Sequence, residues 1–292
     1  MSPRNSVSKS QALGGAGFML LGAILIPWSA AIVTPVFSAI GPSATSAWRF
    51  LFGAVVLMAL TRPKLRSWTR RQWLGALALG VSIAFMNLCF YQAIARIPLG
   101  GAVAIEYLGP FLVAALGKRS LRHFSFVVLA GLGVVALTRP GGGLTLVGIT
   151  FAAGAAAGWA AYVFASHRVG GTTTGFGGLA VSLLIATVVT LPMSIGSTHY
   201  LVTHAHLAGR ILLVAIMSIV LGVGAEMQAL RRLRPSIASV LFALNPAVAF
   251  GIGWLILNQA ITPWDFVGLA CVVSAGVGVT FDAASSDGDI AQ

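Results

Sequence analysis

Negative charge is nearly missing from this chain. Six acidic residues stand against 18 basic ones in 292 residues, and only two of the six, Glu106 and Glu226, are glutamates. Charged residues of both signs make up 8% of the sequence, where a soluble domain carries about a quarter. A solvated globular surface is therefore excluded. No Gly-x-x-x-x-Gly-Lys-Ser/Thr segment occurs, so Gly141-Gly142-Gly143 is a connection and not a phosphate loop. No His-Glu-x-x-His or Gly-x-Ser-x-Gly motif occurs either, which argues against an enzyme. Cys89 and Cys271 fall in separate apolar runs and read as small buried hydrophobes. His199, His204 and His206 gather in one connection, where a metal role is the weaker reading. No metal and no cofactor is expected.

What is present is long apolar sequence: 58% hydrophobic residues, 35 glycines and a mean hydropathy of +0.93. At about 20 residues per membrane span, the apolar runs divide into ten: 14–37, 43–61, 72–95, 98–116, 122–138, 145–166, 175–196, 210–231, 235–257 and 263–281. The first is too long for a signal-peptide core and shows no cleavage site. Pro98, Pro235 and Pro263 suit first-turn positions, where a missing N–H does no harm. Thr262 and Asp265 add a capping hydroxyl and a first-turn acid, so Asp265 reads as a helix-dipole partner. The expected fold is an all-α integral membrane protein.

The formal charge of +12 would point to nucleic acid in a soluble protein; here topology accounts for it, and no nucleic-acid partner is expected. With the N-terminus inside, fourteen basic residues fall in inner segments: Arg4, Lys9, Arg62, Lys64, Arg66, Arg70, Arg71, Lys118, Arg119, Arg122, Arg168, Arg231, Arg232 and Arg234. Only Arg96, Arg139 and Arg210 fall outside, and Arg49 lies within a span. That bias supports ten spans with both termini cytoplasmic. The acidic tail, with Asp282, Asp287 and Asp289, then reads as cytoplasmic and disordered.

The sequence also repeats. Displaced by 136 positions, Gln92-Ala93-Ile94-Ala95-Arg96-Ile97 falls on Gln228-Ala229-Leu230-Arg231-Arg232-Leu233, Pro110 on Pro246 and Ala102 on Ala238. A nearby displacement sets Trp28 on Trp159. Residues 14–140 and 145–281 are thus two five-helix halves between an N-terminal segment, 1–13, and the tail, 282–292. Five is odd, so the second half enters the membrane inverted, and a solute site is expected between the halves.

Glu106 lies eight residues beyond Pro98, about 12 Å below the outer face at 1.5 Å per residue. Arg49 lies seven residues beyond Pro42, about 10 Å deep. An isolated charge at the bilayer centre costs at least about 2.5–3.5 kcal/mol, so each needs a partner or a wet cavity. Three readings stay open. The two form a permanent lock between spans two and four; or Arg49 snorkels outward alone; or Glu106 exchanges a proton or binds a substrate ammonium while Arg49 takes a carboxylate. Burial and a nearby guanidinium act oppositely on a carboxylate's hold on its proton, so small rearrangements can change its charge. Gly80, Ala84, Asn87 and Tyr91 share one helical face, with Asn87 placed to bond an acid, a ligand or a neighbouring helix. Trp28 and Trp159 sit mid-span, away from the interface belt, and line a cavity or pack the core. Asn245-Pro246 interrupts span nine where a cavity would tolerate a freed carbonyl. Glu226, close to Arg231 and Arg232, reads as a solvated ion pair. Gly154 and Gly158 read as a helix-packing face.

Asn87 to Pro110, NLCFYQAIARIPLGGAVAIEYLGP, resembles the third-to-fourth-helix hairpin of EamA-type members of the drug/metabolite transporter superfamily, closest to the threonine/homoserine exporter branch. Trp28, Arg49 within TSAWRF, and Pro246 extend the likeness over the whole chain. The resemblance implies ten helices in two inverted repeats, a central cavity, and proton-driven export of amino acids or similar metabolites from the inner membrane. The partners implied are a small-molecule substrate, protons and membrane lipid. The family commonly carries an acid before the helix-nine proline and another near that helix's end. Here those positions are Asn245 and Asn258, which moves the weight of coupling onto Glu106.

Overall fold

The computed structural model describes residues 9–110, 113, 121–137, 143–169, 176–233 and 235–289. Arg4, the second half of span four with Lys118 and Arg119, Arg139, Gly141-Gly142 and Arg234 lie outside the described residues. Twelve helices carry the argument: α1 Lys9–Val33, α2 Pro42–Thr61, α3 Arg70–Ile94, α4 Leu99–Glu106, α5 Leu121–Leu137, α6 Leu146–Val169, α7 Phe176–Ser194, α8 Ala205–Ala215, α9 Gly224–Leu230, α10 Pro235–Phe242, α11 Asn245–Leu257 and α12 Pro263–Asp289. A π-helical stretch, Ile216–Val223, joins α8 to α9 without a break.

Local chemistry sets the ends. Thr69 caps α3 reciprocally: its Oγ1 accepts from the Gln72 N–H at 3.3 Å, and the Gln72 Oε1 accepts from the Thr69 N–H at 2.8 Å. Arg62 closes α2 and Asn258 closes α11 in the left-handed region, with φ of 42° and 50°. Asp265 Oδ2 accepts from the Thr262 N–H at 2.7 Å and its hydroxyl at 2.9 Å, so the first-turn acid of α12 does bind back to its cap.

Among the described residues, seven helical stretches are long and apolar enough to cross a membrane. The shorter apolar helices Val128–Leu137 and Pro263–Gly278 accompany them. Large apolar side chains such as Val55, Leu132, Val188, Leu255 and Phe266 face outward. In lipid that face needs no polar cover, because all backbone polar groups are satisfied within the helices. The acidic tail is a correction: α12 continues to Asp289, since extending an existing helix adds one bond per residue while starting one is costly. The histidine connection is helical too, on Thr198–Thr203 and the start of α8, with Tyr200 and His204 stacked at 4.1 Å.

The principal packing pairs join one half of the chain to the other. α2 lies along α7, α3 along α6, α1 along α9 and the π stretch, α4 against α11, and α5 against α12. The helix ends agree with the repeat. α3 and α9 end at Ile94 and Leu230, and α4 and α10 end at Glu106 and Phe242, each pair 136 positions apart. Close approach needs the small residues foreseen in α6: a Cβ on Gly158 would lie 2.8 Å from the Met86 Cα of α3, and one on Gly154 3.0 Å from Cys89 Sγ.

Candidate functional site

The helix breaks of both halves meet at one cavity of about 360 Å³, within the range of small-molecule sites. Its wall is mostly apolar and aromatic, and its charges are Arg49, Glu106 and Glu226. Both glutamates of the protein therefore face the same space.

Arg49 is 7% exposed on α2. Its Nη1 donates to Ser218 Oγ at 3.1 Å, and its Nη2 donates to Asn87 Oδ1. Asn87 is itself held by donating from Nδ2 to the Ile83 carbonyl at 3.1 Å, and Ser218 by donating to the Val214 carbonyl at 2.7 Å. The guanidinium also lies 5.0 Å from the Tyr91 ring centre and 5.3 Å from that of Phe50, a cation–π arrangement. Its Nε is buried without an acceptor. Arg49 thus neither snorkels nor locks to Glu106. Two neutral oxygens and two ring faces satisfy it, a solution that spacing along the sequence could not reveal.

Glu106 is 8% exposed and lines the cavity, with no hydrogen bond or ion pair to its carboxylate among the described residues. It ends α4, and the chain turns at Tyr107. Tyr107 accepts from Asn245 Nδ2 and meets Trp159 edge-on, ring centres 4.5 Å apart. Pro246, beside Asn245, falls in the first turn of α11, so the interruption of span nine is a true helix break rather than a kink.

Asn87, Tyr91, Trp159 and Asn245 line the cavity; Trp28 does not. Trp28 is 42% exposed, among the large apolar residues on the outside of the bundle. The correction is one of register. α1 and α6 correspond at a displacement of 133, which sets Ile26 on Trp159 and Ser29 on Tyr162, and all four line the cavity. The displacement of 131 that matches the two tryptophans is two residues out, about 200° around a helix.

Glu226 is the second correction. The solvated pair with Arg231 and Arg232 is absent among the described residues, and the side chain enters the cavity. Its stem packs on α1, where a Cβ at Gly22 would lie 2.6 Å from Glu226 Cγ. The 136-residue repeat held the signal: Ile83 and Ile219, Asn87 and Val223, Phe90 and Glu226, Tyr91 and Met227, and Glu106 and Phe242 are paired positions, and all ten line the cavity. Each acid corresponds to a phenylalanine in the other half. The walls repeat and the charges do not. Ser218 and Tyr107 were also missed; Ser218 sits in the π stretch, a geometry frequent at functional sites.

Comparison with known proteins agrees with this architecture. The profile of the EamA-like transporter family matches twice, over residues 13–138 and 146–281. The chain is 32% identical over 265 residues to the threonine/homoserine exporter RhtA of Escherichia coli strain K12, covering 90% of each protein. It is equally similar to the exporter of the same name from Salmonella typhimurium strain LT2. A crystal structure of a protein 19% identical to the chain superposes with a TM-score of 0.61, covering 94% of this chain and 98% of that one; this is a likeness of fold.

Proposed function

The chain belongs to the EamA-like transporter family, and from that membership we propose that it is a secondary exporter of amino acids or related small metabolites, of the threonine or homoserine kind, working by proton antiport. It is a multi-pass membrane protein. In this reading ten spans form two inverted five-helix repeats in the cytoplasmic membrane, with both termini inside. The basic residues of alternate connections and the matching helix ends 136 positions apart support that arrangement.

One observation carries the reading: a cation and two acids that have no ion pair among the described residues share a cavity lined by both repeats. A zwitterion suits such a site. Its carboxylate would displace Asn87 and Ser218 from Arg49, because it brings an opposite charge and two oxygens that match the guanidinium fork, where Asn87 and Ser218 offer one neutral oxygen each. Its ammonium would meet Glu106, whose carboxylate has no competing donor among the described residues. Expression in an exporter-deficient strain should restore resistance to threonine or homoserine, and Glu106→Gln should abolish it. Full resistance in that variant would remove Glu106 from the mechanism.

A second reading is favoured by the wall itself. Phe50, Phe90, Tyr91, Tyr107, Trp159 and Phe242 suit a larger apolar solute, such as an aromatic metabolite or a drug. Competition of labelled threonine efflux by tryptophan or phenylalanine would support it over the first.

A further inference from the structure

The cycle above uses one acid and leaves Glu226 idle. Glu226 lies four residues before Leu230, the last residue of α9, which leads into Arg231 and Arg232. At 1.5 Å per residue it lies about 6–8 Å from that inner connection, whereas Glu106 lies nearer the outer side. It is half-buried, while Glu106 is 8% exposed and has no partner among the described residues. The titratable and charged groups facing it across the cavity are Glu106, Tyr107, Arg49, Tyr91 and Tyr162; α1, against its stem, presents Gly22. Among the described residues it has no ion pair.

We propose that Glu226 is the inner proton-exchanging carboxylate of the transport cycle, receiving the incoming proton within the cavity and releasing it to cytoplasmic water. The proton changes only its oxygen partner, and no other bond is made or broken. This rests on the antiport reading. The test uses the full chain in proteoliposomes and labelled threonine. Glu226→Gln should cut pH-gradient-driven transport at least tenfold while threonine–threonine exchange stays measurable, and Glu226→Asp should restore part of the driven rate. Driven transport at the wild-type rate, or loss of exchange together with driven transport, overturns the proposal. Wild-type protein that moves no threonine in either assay would instead defeat the functional reading itself.

A different observation carries a second inference. The turn after α3 and the turn after α9 each clamp the opening helix of the opposite half in the same way. Ile97 packs where a Cβ on Gly148 would sit, and Leu233 comes within 2.8 Å of one on Gly15. Arg96 lies 5.1 Å over the ring of Phe151, and Arg232 4.5 Å over that of Phe18. The turns are 136 positions apart and their receptors 133. In the proposed topology one clamp is outside and the other inside. We infer that they are the outer and inner gates, and that each must release in turn for solute to pass.

Paired cysteines test this, in a background with Cys89 and Cys271 replaced by alanine. A Cβ on Gly148 would lie 3.3 Å from the Arg96 Cβ, and one on Gly15 3.2 Å from the Arg232 Cβ, near the roughly 3.5–4.5 Å of a disulfide. Oxidising Arg96→Cys with Gly148→Cys, or Arg232→Cys with Gly15→Cys, should cut transport at least tenfold, and reduction should restore it. Unchanged transport with the cross-link demonstrated overturns the inference. If the pairs are inactive when reduced, Asn245→Cys in the cavity reports instead. Phe151→Ala should raise its labelling by an impermeant thiol reagent added outside, and Phe18→Ala should not. Equal labelling in both variants is the contrary result.

Discussion

Asn87→Ala takes from Arg49 the acceptor of its Nη2. Hydrogen bonds to charged groups are worth about 1.5–3 kcal/mol in soluble proteins, but side-chain bonds between membrane helices average about 0.6 kcal/mol and reach about 1.7. Here the donor is a guanidinium 7% exposed whose Nε already lacks an acceptor. The replacement therefore falls at the upper end of the membrane range, about 1.5 kcal/mol. Ser218→Ala should cost less, because that bond is 3.1 Å long and the cavity can bring water to Nη1. Reversible unfolding in mixed micelles measures both. A double-mutant cycle of Asn87→Ala with Arg49→Met should give a coupling near 1 kcal/mol, well above the roughly 0.3–0.5 kcal/mol of independent sites. Asn87→Asp then separates structure from function. A carboxylate against Arg49 should preserve or raise stability while slowing transport severalfold, because the solute must now displace a charged partner. Additive single effects, or normal transport by Asn87→Asp, would refute the arrangement of Arg49 described above.

Trp159→Ala removes the edge-on contact with Tyr107, worth about 0.5–1.5 kcal/mol of stability, and strips an aromatic face from the cavity wall, so the transport KM should rise; Trp28→Ala, outside the cavity, should leave KM unchanged in the same flux assay. Gly158→Val places a Cβ 2.8 Å from the Met86 backbone and should lower stability by about 1–3 kcal/mol, read as an earlier unfolding midpoint. Asp265→Asn weakens the α12 cap and should cost about 0.5–1 kcal/mol with transport retained.

Composition and spacing were enough to define a membrane protein of stacked helices in two related halves. Apolar length has one structural solution in lipid, so runs such as 43–61 and 72–95 are legible as Pro42–Thr61 and Arg70–Ile94. The cap at Thr262–Asp265 was legible because its chemistry is local. Scarcity also marked Glu106, since few physical excuses exist for an acid at that depth.

Tertiary structure alone decided what each polar group meets. Depth along a helix says nothing of rotation about it, and 100° per residue lets a two-residue error turn Trp28 from cavity to lipid. Equal depth made Arg49 and Glu106 candidates to meet, yet the acceptors of Arg49 are Asn87 and Ser218, the latter in a π stretch whose register no periodicity predicts. Glu226 stood beside two arginines in the chain and enters the cavity in space. Side-chain direction is set by packing between helices that are distant in sequence, and that information exists only once the two halves have met.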